Sequence, residues 1–113
     1  MRIGVQLAQL GRLADARAVR RSAMAAEQVG FDSIWVLDRL AAPLAPRSPY
    51  PGTPDGSLPD GMATSLDPLA VLAYAAAVTE RVRLGASVLV APWYRPVPLA
   101  RQLTSLDVLS EGR

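Results

Sequence analysis

The sequence predicts an α/β fold in which short parallel strands alternate with helices. Along the 113 residues, apolar positions switch repeatedly between the two-residue alternation of a strand and the three-to-four-residue spacing of a helix. Helical segments separate the strands, as in right-handed βαβ units. The length allows one domain at most.

The first strand is predicted at residues 3–7, where apolar residues alternate with smaller or polar ones. Asp15 is the predicted N-cap of a helix that runs to about residue 29. Gly30 is its predicted end, because glycine tolerates the left-handed conformation that follows a helix. Residues 33–37 form a continuous apolar run, which is typical of a strand covered on both faces.

Residues 39–66, called the insertion below, differ in composition from the rest of the chain. They contain six of the ten prolines together with three glycines. Proline-rich chain forms neither a helix interior nor a central strand. The insertion is too long for an ordinary connection, so it is either a functional lid or a disordered linker.

Order is predicted to resume at Asp67 and Pro68, an N-cap followed by a proline in the first helical position. The uncharged run 69–78 predicts a helix that is buried on most sides. Residues 82–90 are the predicted third strand. A third helix opens at residues 96–98 and ends before Gly112, with Leu99, Leu103, Leu106 and Leu109 on one stripe.

The order β-α-β-insertion-α-β-α fits either the start of a (β/α)8 barrel or a small doubly wound sheet. A sheet of three strands leaves two open edges, and a complete barrel takes about 250 residues. We therefore expect residues 1–113 to be a single partial domain, the first three βα units of a larger barrel, with the insertion after strand 2.

Composition excludes several classes of function. The chain has no cysteine and no histidine, so disulfides, thiolate metal sites, Ser-His-Asp triads and most zinc enzymes are excluded, and no metal site is expected. Twelve arginines are nearly balanced by ten acids without a basic stripe, so no nucleic-acid partner is expected. With neither a long apolar run nor a leader, we expect no membrane partner and a cytoplasmic location.

Sites in α/β folds form at the carboxyl ends of the strands. Asp38, directly after the second strand, is there either a hydrogen-bonding or acid/base residue or a turn residue that bonds its own backbone. Arg39 can hold an anionic group of a substrate or cofactor, or else form a surface pair with Asp38 or another acid. Ser87 and Gly85 leave room for a flat ligand, unless they only allow tight packing around Trp35 or Leu7.

Other polar and aromatic residues are weaker candidates. Gln6 and Gln9 can line the same cavity and orient a small-molecule substrate, although Gln9 is better explained as a solvated loop residue. Tyr50, Trp93 and Tyr94 can cover a substrate, although loop aromatics more often bury themselves locally. No glycine-rich dinucleotide fingerprint or phosphate-binding loop is present.

Four stretches resemble the luciferase-like monooxygenase family in order and spacing: residues 2–5, 25–38, 79–89 and 99–113. The closest resemblance is to the branch that depends on the deazaflavin coenzyme F420. It implies a (β/α)8 barrel, hydride transfer between F420 and a small organic substrate, and a homodimer in the full-length family. Flavin members of the family activate oxygen, so an FMN-dependent monooxygenase is the alternative.

The resemblance also implies roles for particular residues. Asp38 contacts the coenzyme ring, Ser87 and Val88 stand where relatives carry a bulge with a cis peptide under the ring, and Val90 is a further ring contact. Many deazaflavin relatives have histidine where this chain has Arg39. Arginine stays charged and donates protons poorly, so Arg39 would instead stabilise developing negative charge.

These considerations make Asp38 and Arg39 the predicted catalytic residues, and Gln6, Gln9 and Trp93 the predicted substrate contacts. A further alternative is a truncated, non-catalytic product. Relatives continue from the final motif into a fourth strand, so the third strand would keep an unpaired side that invites self-association. We expect the 113-residue chain alone to be inactive.

Overall fold

The computed structural model describes residues 1–113 and contains one sheet packed against helices. The strands β1 (Gly4–Gln6), β2 (Ser33–Val36) and β3 (Arg83–Ala86) lie in the order β1-β2-β3, and both neighbouring pairs are parallel. The helices are α1 (Ala16–Gln28), α2 (Pro68–Val78) and α3 (Pro96–Leu109). The predicted α/β class, element order and parallel pairing are confirmed.

Local signals place the helix ends where the sequence predicts them. Asp15 Oδ1 accepts the N–H groups of Arg17 and Ala18 at 2.7 and 2.9 Å, so it caps α1. Asp67 Oδ1 accepts the N–H of Ala70 at 2.8 Å and caps α2 in the same way. Gly30 follows α1 with φ 89°, the left-handed conformation expected there. None of the three helices combines the length and the apolar character needed to cross a bilayer.

The core lies between one face of the sheet and the first two helices. Its buried side chains are Leu7, Val19, Ala23, Ala26, Ile34, Val36, Val71, Leu72, Ala75 and Val82. Ile34 and Val36 on the central strand are fully buried, and each such side chain contributes about 1.5–3 kcal/mol through burial. This packing holds β2 rigidly, and so holds the residues that follow it.

The opposite face of the sheet carries no helix, so the prediction that strand 2 is covered on both faces is wrong. Trp35 lies on this face and is 37% exposed. Its indole extends across both neighbouring strands: a Cβ added at Gly4 would lie 2.3 Å from Trp35 Nε1, and one added at Gly85 would lie 2.5 Å from Cζ3. The small size of Gly85 is therefore explained by packing against Trp35.

The third strand is shorter than predicted. It ends at Ala86 rather than at residue 90 because the chain leaves the ladder there. The Ser87 N–H still donates to the carbonyl of Val36 at 2.7 Å, but the Val88 carbonyl accepts the Asp38 N–H at 3.1 Å. The segment after β3 is thus joined to Asp38, two residues after the end of β2.

The helix α2 is less buried than predicted, and α3 has no buried residue. On α2, Val71, Leu72, Ala75 and Ala76 are buried, but Ala73, Tyr74 and Ala77 are exposed, because only one side meets the sheet and α1. On α3 no residue is buried, and the end of its leucine stripe, Leu109, is 73% exposed. Leu106 packs against the core and Leu99 is half-buried, while Leu103 is 42% exposed.

A carboxylate joins α1 to the connection between α2 and β3. Glu27 accepts the N–H groups of Glu80, Arg81 and Val82 at 2.6–3.0 Å. Partial burial alone would raise the pKa of Glu27, but the three backbone hydrogen bonds and the Arg81 charge together outweigh it. The pKa of Glu27 therefore lies below its ordinary value of 4.5.

We expect Glu27→Gln to lower the free energy of unfolding by about 1–2 kcal/mol at pH 7, because charged acceptors form the stronger hydrogen bonds. A lowered pKa in the folded state stabilises the fold above the unfolded pKa, and this stabilisation is lost as pH falls through the folded pKa. Urea titrations should therefore show the variant and the parent converging below pH 4.5. Asp107→Asn, at an exposed position on α3, is the control, and an equal loss in both variants would contradict the assignment.

Candidate active site at the carboxyl ends of the strands

Asp38 lies at the carboxyl end of β2 and is joined to the segment that follows β3. Its Oδ2 accepts the N–H of Val90 at 3.0 Å and the hydroxyl of Tyr94 at 2.9 Å. Neither bond uses Oδ1. Asp38 therefore does not bond its own backbone as an isolated turn residue would, and it shares one edge of the sheet with Ser87, as the sequence predicts.

The segment after β3 presents a partly apolar surface beside Asp38. The Ser87–Val88 peptide bond is cis, as the family resemblance implies for this position. Ser87 is exposed, Val88 is 67% exposed, and Val90 is half-buried. These three residues and Asp38 form the part of the site to which a coenzyme ring is assigned by resemblance.

Tyr94 orients the Asp38 carboxylate through the hydrogen bond that its hydroxyl donates to Oδ2. Partial burial, the hydrogen bond to Asp38 and the charges of Asp38 and Asp67 raise the pKa of Tyr94 from 10.0 to about 12. The phenol therefore stays a hydrogen-bond donor at neutral pH. Because the folded pKa is raised, the contribution to stability is complete below pH 10.0 and is lost as pH rises through about 12.

Absorbance of the tyrosinate at 295 nm provides a test of this pair. In the parent chain we expect one tyrosine to titrate near pH 12, and Tyr94→Phe should remove that phase. In Asp38→Asn the same phase should move to lower pH, because the carboxylate no longer opposes the phenolate. A late phase that is unchanged in Asp38→Asn would show that burial and the Asp67 charge, without Asp38, set the pKa of Tyr94.

Gln9 is completely buried, so the expectation of a solvated loop residue is wrong. Its Oε1 accepts the N–H of Leu37 at 2.7 Å, and its Nε2 donates to the carbonyls of Leu37 at 2.8 Å and Leu66 at 3.3 Å. The Gln9 amide thus bonds both the N–H and the carbonyl of Leu37, the residue before Asp38. It also bonds Leu66 at the end of the insertion. Its predicted contact with substrate is untested, and these bonds use its hydrogen-bonding groups elsewhere.

Arg39 turns away from Asp38. Its Nη1 lies 3.6 Å from the sulfur of Met62, within the insertion, and its Nε is buried without a hydrogen-bond partner. The alternative of an ion pair with Asp38 is therefore wrong. The two residues predicted to be catalytic are adjacent in sequence but face different surroundings.

The remaining predicted contacts lie on β1 and in two loops. Gln6 is exposed and pairs in register with Trp35, and Trp93 is 49% exposed in a short turn after residue 90. Tyr50 lies within its own loop, where a Cβ at Gly52 would meet its ring at 2.5 Å. The side chains of Gln6 and Trp93 are thus exposed.

A groove of about 580 Å³ lies at the opposite end of the sheet. It is lined mainly by charged residues near the start of the strands, among them Arg2, Asp32 and Arg83. Catalytic sites of parallel α/β folds form at the carboxyl ends of the strands. We therefore assign the site to that edge of the sheet and not to this groove. No cluster of three or more histidine, cysteine, aspartate or glutamate side chains that could hold a metal ion occurs in the chain.

Sequence reasoning missed the two residues that position Asp38. Tyr94 was predicted only as a cover for substrate, and Gln9 as a ligand contact or a solvated residue. Each is joined to its partner across 28 or more residues of chain. The burial of Gln9 has no local signal, because a single polar residue after a strand looks the same whether its amide meets water or backbone.

Comparisons with known proteins agree with this architecture. A family model described as luciferase-like monooxygenase matches residues 2–113. The chain is 38% identical over 93 residues to the uncharacterized protein Rv0953c of Mycobacterium tuberculosis strain H37Rv, a match that covers 81% of this chain and 33% of that protein. It is 37% identical over 93 residues to Rv0940c of the same strain, covering 80% and 32% respectively.

A solved structure shows the same likeness in three dimensions. Monooxygenase RslO1 from Streptomyces bottropensis superposes with a TM-score of 0.72 at 27% identity, covering 100% of this chain and 31% of that one. The chain spans about a third of the length of the curated relatives it matches. Since the family model matches almost every residue, this chain belongs to the luciferase-like monooxygenase family.

Proposed function

We propose that this chain forms the first three βα units of a (β/α)8 oxidoreductase that transfers a hydride between coenzyme F420 and a small organic substrate. The observation that carries the proposal is the Asp38 carboxylate. It is held by Val90 and Tyr94 through Oδ2 alone, at the edge of the sheet where ligands of this fold class bind. Family membership supports oxidoreductase chemistry.

The residues at this edge fit a planar ring with polar atoms on its rim. Oδ1 of Asp38 remains able to accept a hydrogen bond from a ring N–H, while Oδ2 is held by two donors. Ser87 and Val88 are exposed beside it and offer a hydroxyl and an apolar contact to the face of the ring. Pockets for cofactors combine apolar walls with a few placed polar groups in this way.

Each site residue then has a defined role. A bound deazaflavin would supply the hydride chemistry. Asp38 would hold the rim of the ring, and Ser87, Val88 and Val90 would support it. Gln6 and Trp93 would orient the substrate on the uncovered face. The hydroxyl of Tyr94 would keep the Asp38 carboxylate fixed in direction.

An FMN-dependent monooxygenase is the second candidate. The solved neighbour is described as a monooxygenase, as is the family as a whole. The same carboxylate suits the ring N–H of either coenzyme, so these residues do not favour one over the other. The homodimer and the cytoplasmic location expected from the sequence remain proposals.

Titration of the 113-residue chain with F420 and, separately, with FMN tests the proposal. Trp35 and Trp93 lie near the site, so quenching of their fluorescence reports binding. We expect saturable quenching by F420 and an affinity about tenfold lower in Asp38→Asn, as for the loss of one charge-assisted hydrogen bond. Asp60→Asn, in the exposed part of the insertion, should leave the affinity unchanged.

The outcomes separate the candidates. Binding of FMN without binding of F420 would favour the monooxygenase. Binding of neither coenzyme would contradict a coenzyme site in this chain and would favour the non-catalytic alternative. Equal losses in Asp38→Asn and Asp60→Asn would show that quenching reports general charge rather than this site.

A further inference from the structure

A cavity lies beside Arg39, within the insertion and separate from the Asp38 cluster. It has a volume of about 220 Å³. Its walls come from both ends of the insertion: Arg39, Leu40, Ala41, Ala42, Met62, Ala63, Thr64 and Ser65. No acidic residue lines it, so the arginine is its one charged group.

The guanidinium of Arg39 lacks the partners that a partly buried cation normally has. Its Nε is buried and makes no hydrogen bond, and it is the one buried side-chain polar atom of the chain in that condition. Its Nη1 has only the thioether sulfur of Met62, 3.6 Å away, which is a weak acceptor. Buried charge is costly unless it is paired and hydrogen-bonded, so these donors are suited to an acceptor that enters the cavity.

The cavity walls are held in place by hydrogen bonds outside the cavity. The Gln9 side chain holds Leu37, which precedes Asp38, and Leu66, the last residue of the insertion. The Gly11 N–H donates to the carbonyl of Thr64 at 2.9 Å, and Leu10 pairs with Ser65 in an isolated bridge. The C-terminal end of the insertion is therefore fixed against the first βα connection.

We propose that this cavity binds an anionic oxygen group, a carboxylate or a phosphate, of a small ligand, with Arg39 as its anchor. Guanidinium presents a fork of donors that matches such groups. The volume is below the roughly 300–1,000 Å³ of pockets for whole drug-sized ligands, so the cavity takes the charged end of a ligand. The hydroxyls of Thr64 and Ser65 line the same space and can add hydrogen bonds. This inference does not depend on which coenzyme the Asp38 cluster holds.

The test follows the arginine Nε–H signals of the 113-residue chain by two-dimensional NMR during titration with sodium phosphate and, separately, with sodium acetate at constant ionic strength. The Arg39 signal is identified by its loss in Arg39→Lys. We expect this signal to shift saturably with phosphate, with acetate or with both. The anion that binds more tightly then indicates whether the natural ligand carries a phosphate or a carboxylate. Arg47→Lys, also within the insertion but exposed, should bind as the parent does.

Backbone signals provide the matching readout in the variants. The amides of residues 62–65 should shift with the anion in the parent and in Arg47→Lys, with an affinity about tenfold lower in Arg39→Lys, because lysine lacks the fork geometry. Saturation of the Arg39 signal in the parent supports the proposal even if a variant folds poorly. A linear, unsaturated response of Arg39 to both anions would overturn it, as would equal affinity in Arg39→Lys.

Discussion

Replacing Gln9 by leucine is expected to lower the free energy of unfolding by about 3 kcal/mol, a large part of the roughly 5–15 kcal/mol that stabilises a small domain. The substitution keeps the volume roughly constant but removes three hydrogen bonds in a site that water does not reach. The N–H and carbonyl of Leu37 and the carbonyl of Leu66 would then lose these partners. Leaving such groups unpaired costs more than the bonds themselves contribute.

Urea titration followed by far-ultraviolet circular dichroism measures this loss. Gln102→Leu on α3, where the glutamine is exposed, is the matched control and should change stability by less than about 0.5 kcal/mol. Hydrogen exchange adds a local readout, because the Leu37 amide should lose its protection when Oε1 of Gln9 is removed. Equal stability of the two leucine variants would show that backbone contacts alone hold the insertion.

Gln9→Leu should also disturb the site itself. Leu37 precedes Asp38, so movement of Leu37 changes where the Asp38 carboxylate lies relative to Val90 and Tyr94. The late tyrosinate phase near pH 12 should then move to lower pH, as in Asp38→Asn. A large loss of stability with an unchanged tyrosinate phase would separate the two functions of this side chain.

Replacing Arg113 by methionine is expected to cost about 2–3 kcal/mol of unfolding free energy. The Arg113 side chain joins three elements by donating to the carbonyl of Ser110 at 2.7 Å, of Ala76 at 2.9 Å and of Val82 at 3.4 Å. It also donates to the Thr79 hydroxyl at 3.0 Å. Methionine keeps the apolar stem but removes every donor, and the Ala76 carbonyl in the last turn of α2 loses its partner.

Arg101→Met on the exposed side of α3 is the control, and thermal or urea unfolding of both variants gives the comparison. Arg113→Lys should recover only part of the loss, because one ammonium group cannot reach three carbonyls in different directions. The Leu84 N–H donates to the backbone carbonyl of Arg113, a bond that every variant keeps. A loss no larger than that of Arg101→Met would mean that this backbone bond and the helix contacts are sufficient.

Short-range features of this chain follow from short stretches of sequence. The caps of α1 and α2 are predictable because Asp15 and Asp67 bond backbone groups two or three residues away. The left-handed Gly30 is predictable because only the backbone at that position decides it. Parallel pairing follows from the alternation of strands and helices.

Exposure was predicted less well because it depends on what packs above each element. The apolar run of β2 indicated burial on both faces, but helices cover only one of them, and Trp35 fills the space above two glycines instead. The uncharged helix α2 was predicted to be more buried for the same reason. The residue types of a segment indicate whether it can be buried. Whether it is buried depends on the elements that pack against it.

The sequence by itself determined the order of elements, the caps of α1 and α2 and the parallel class of the sheet. It also placed Asp38 and Ser87 at the same edge of the sheet. Only the tertiary structure decided that Tyr94 orients Asp38, that Gln9 is buried beneath the insertion, and that Arg39 faces a different cavity. The physical reason is the range of the interactions. A cap closes within one helical turn, whereas the bonds of Gln9 and Tyr94 span 28 to 57 residues and form only when the packed core brings their ends together.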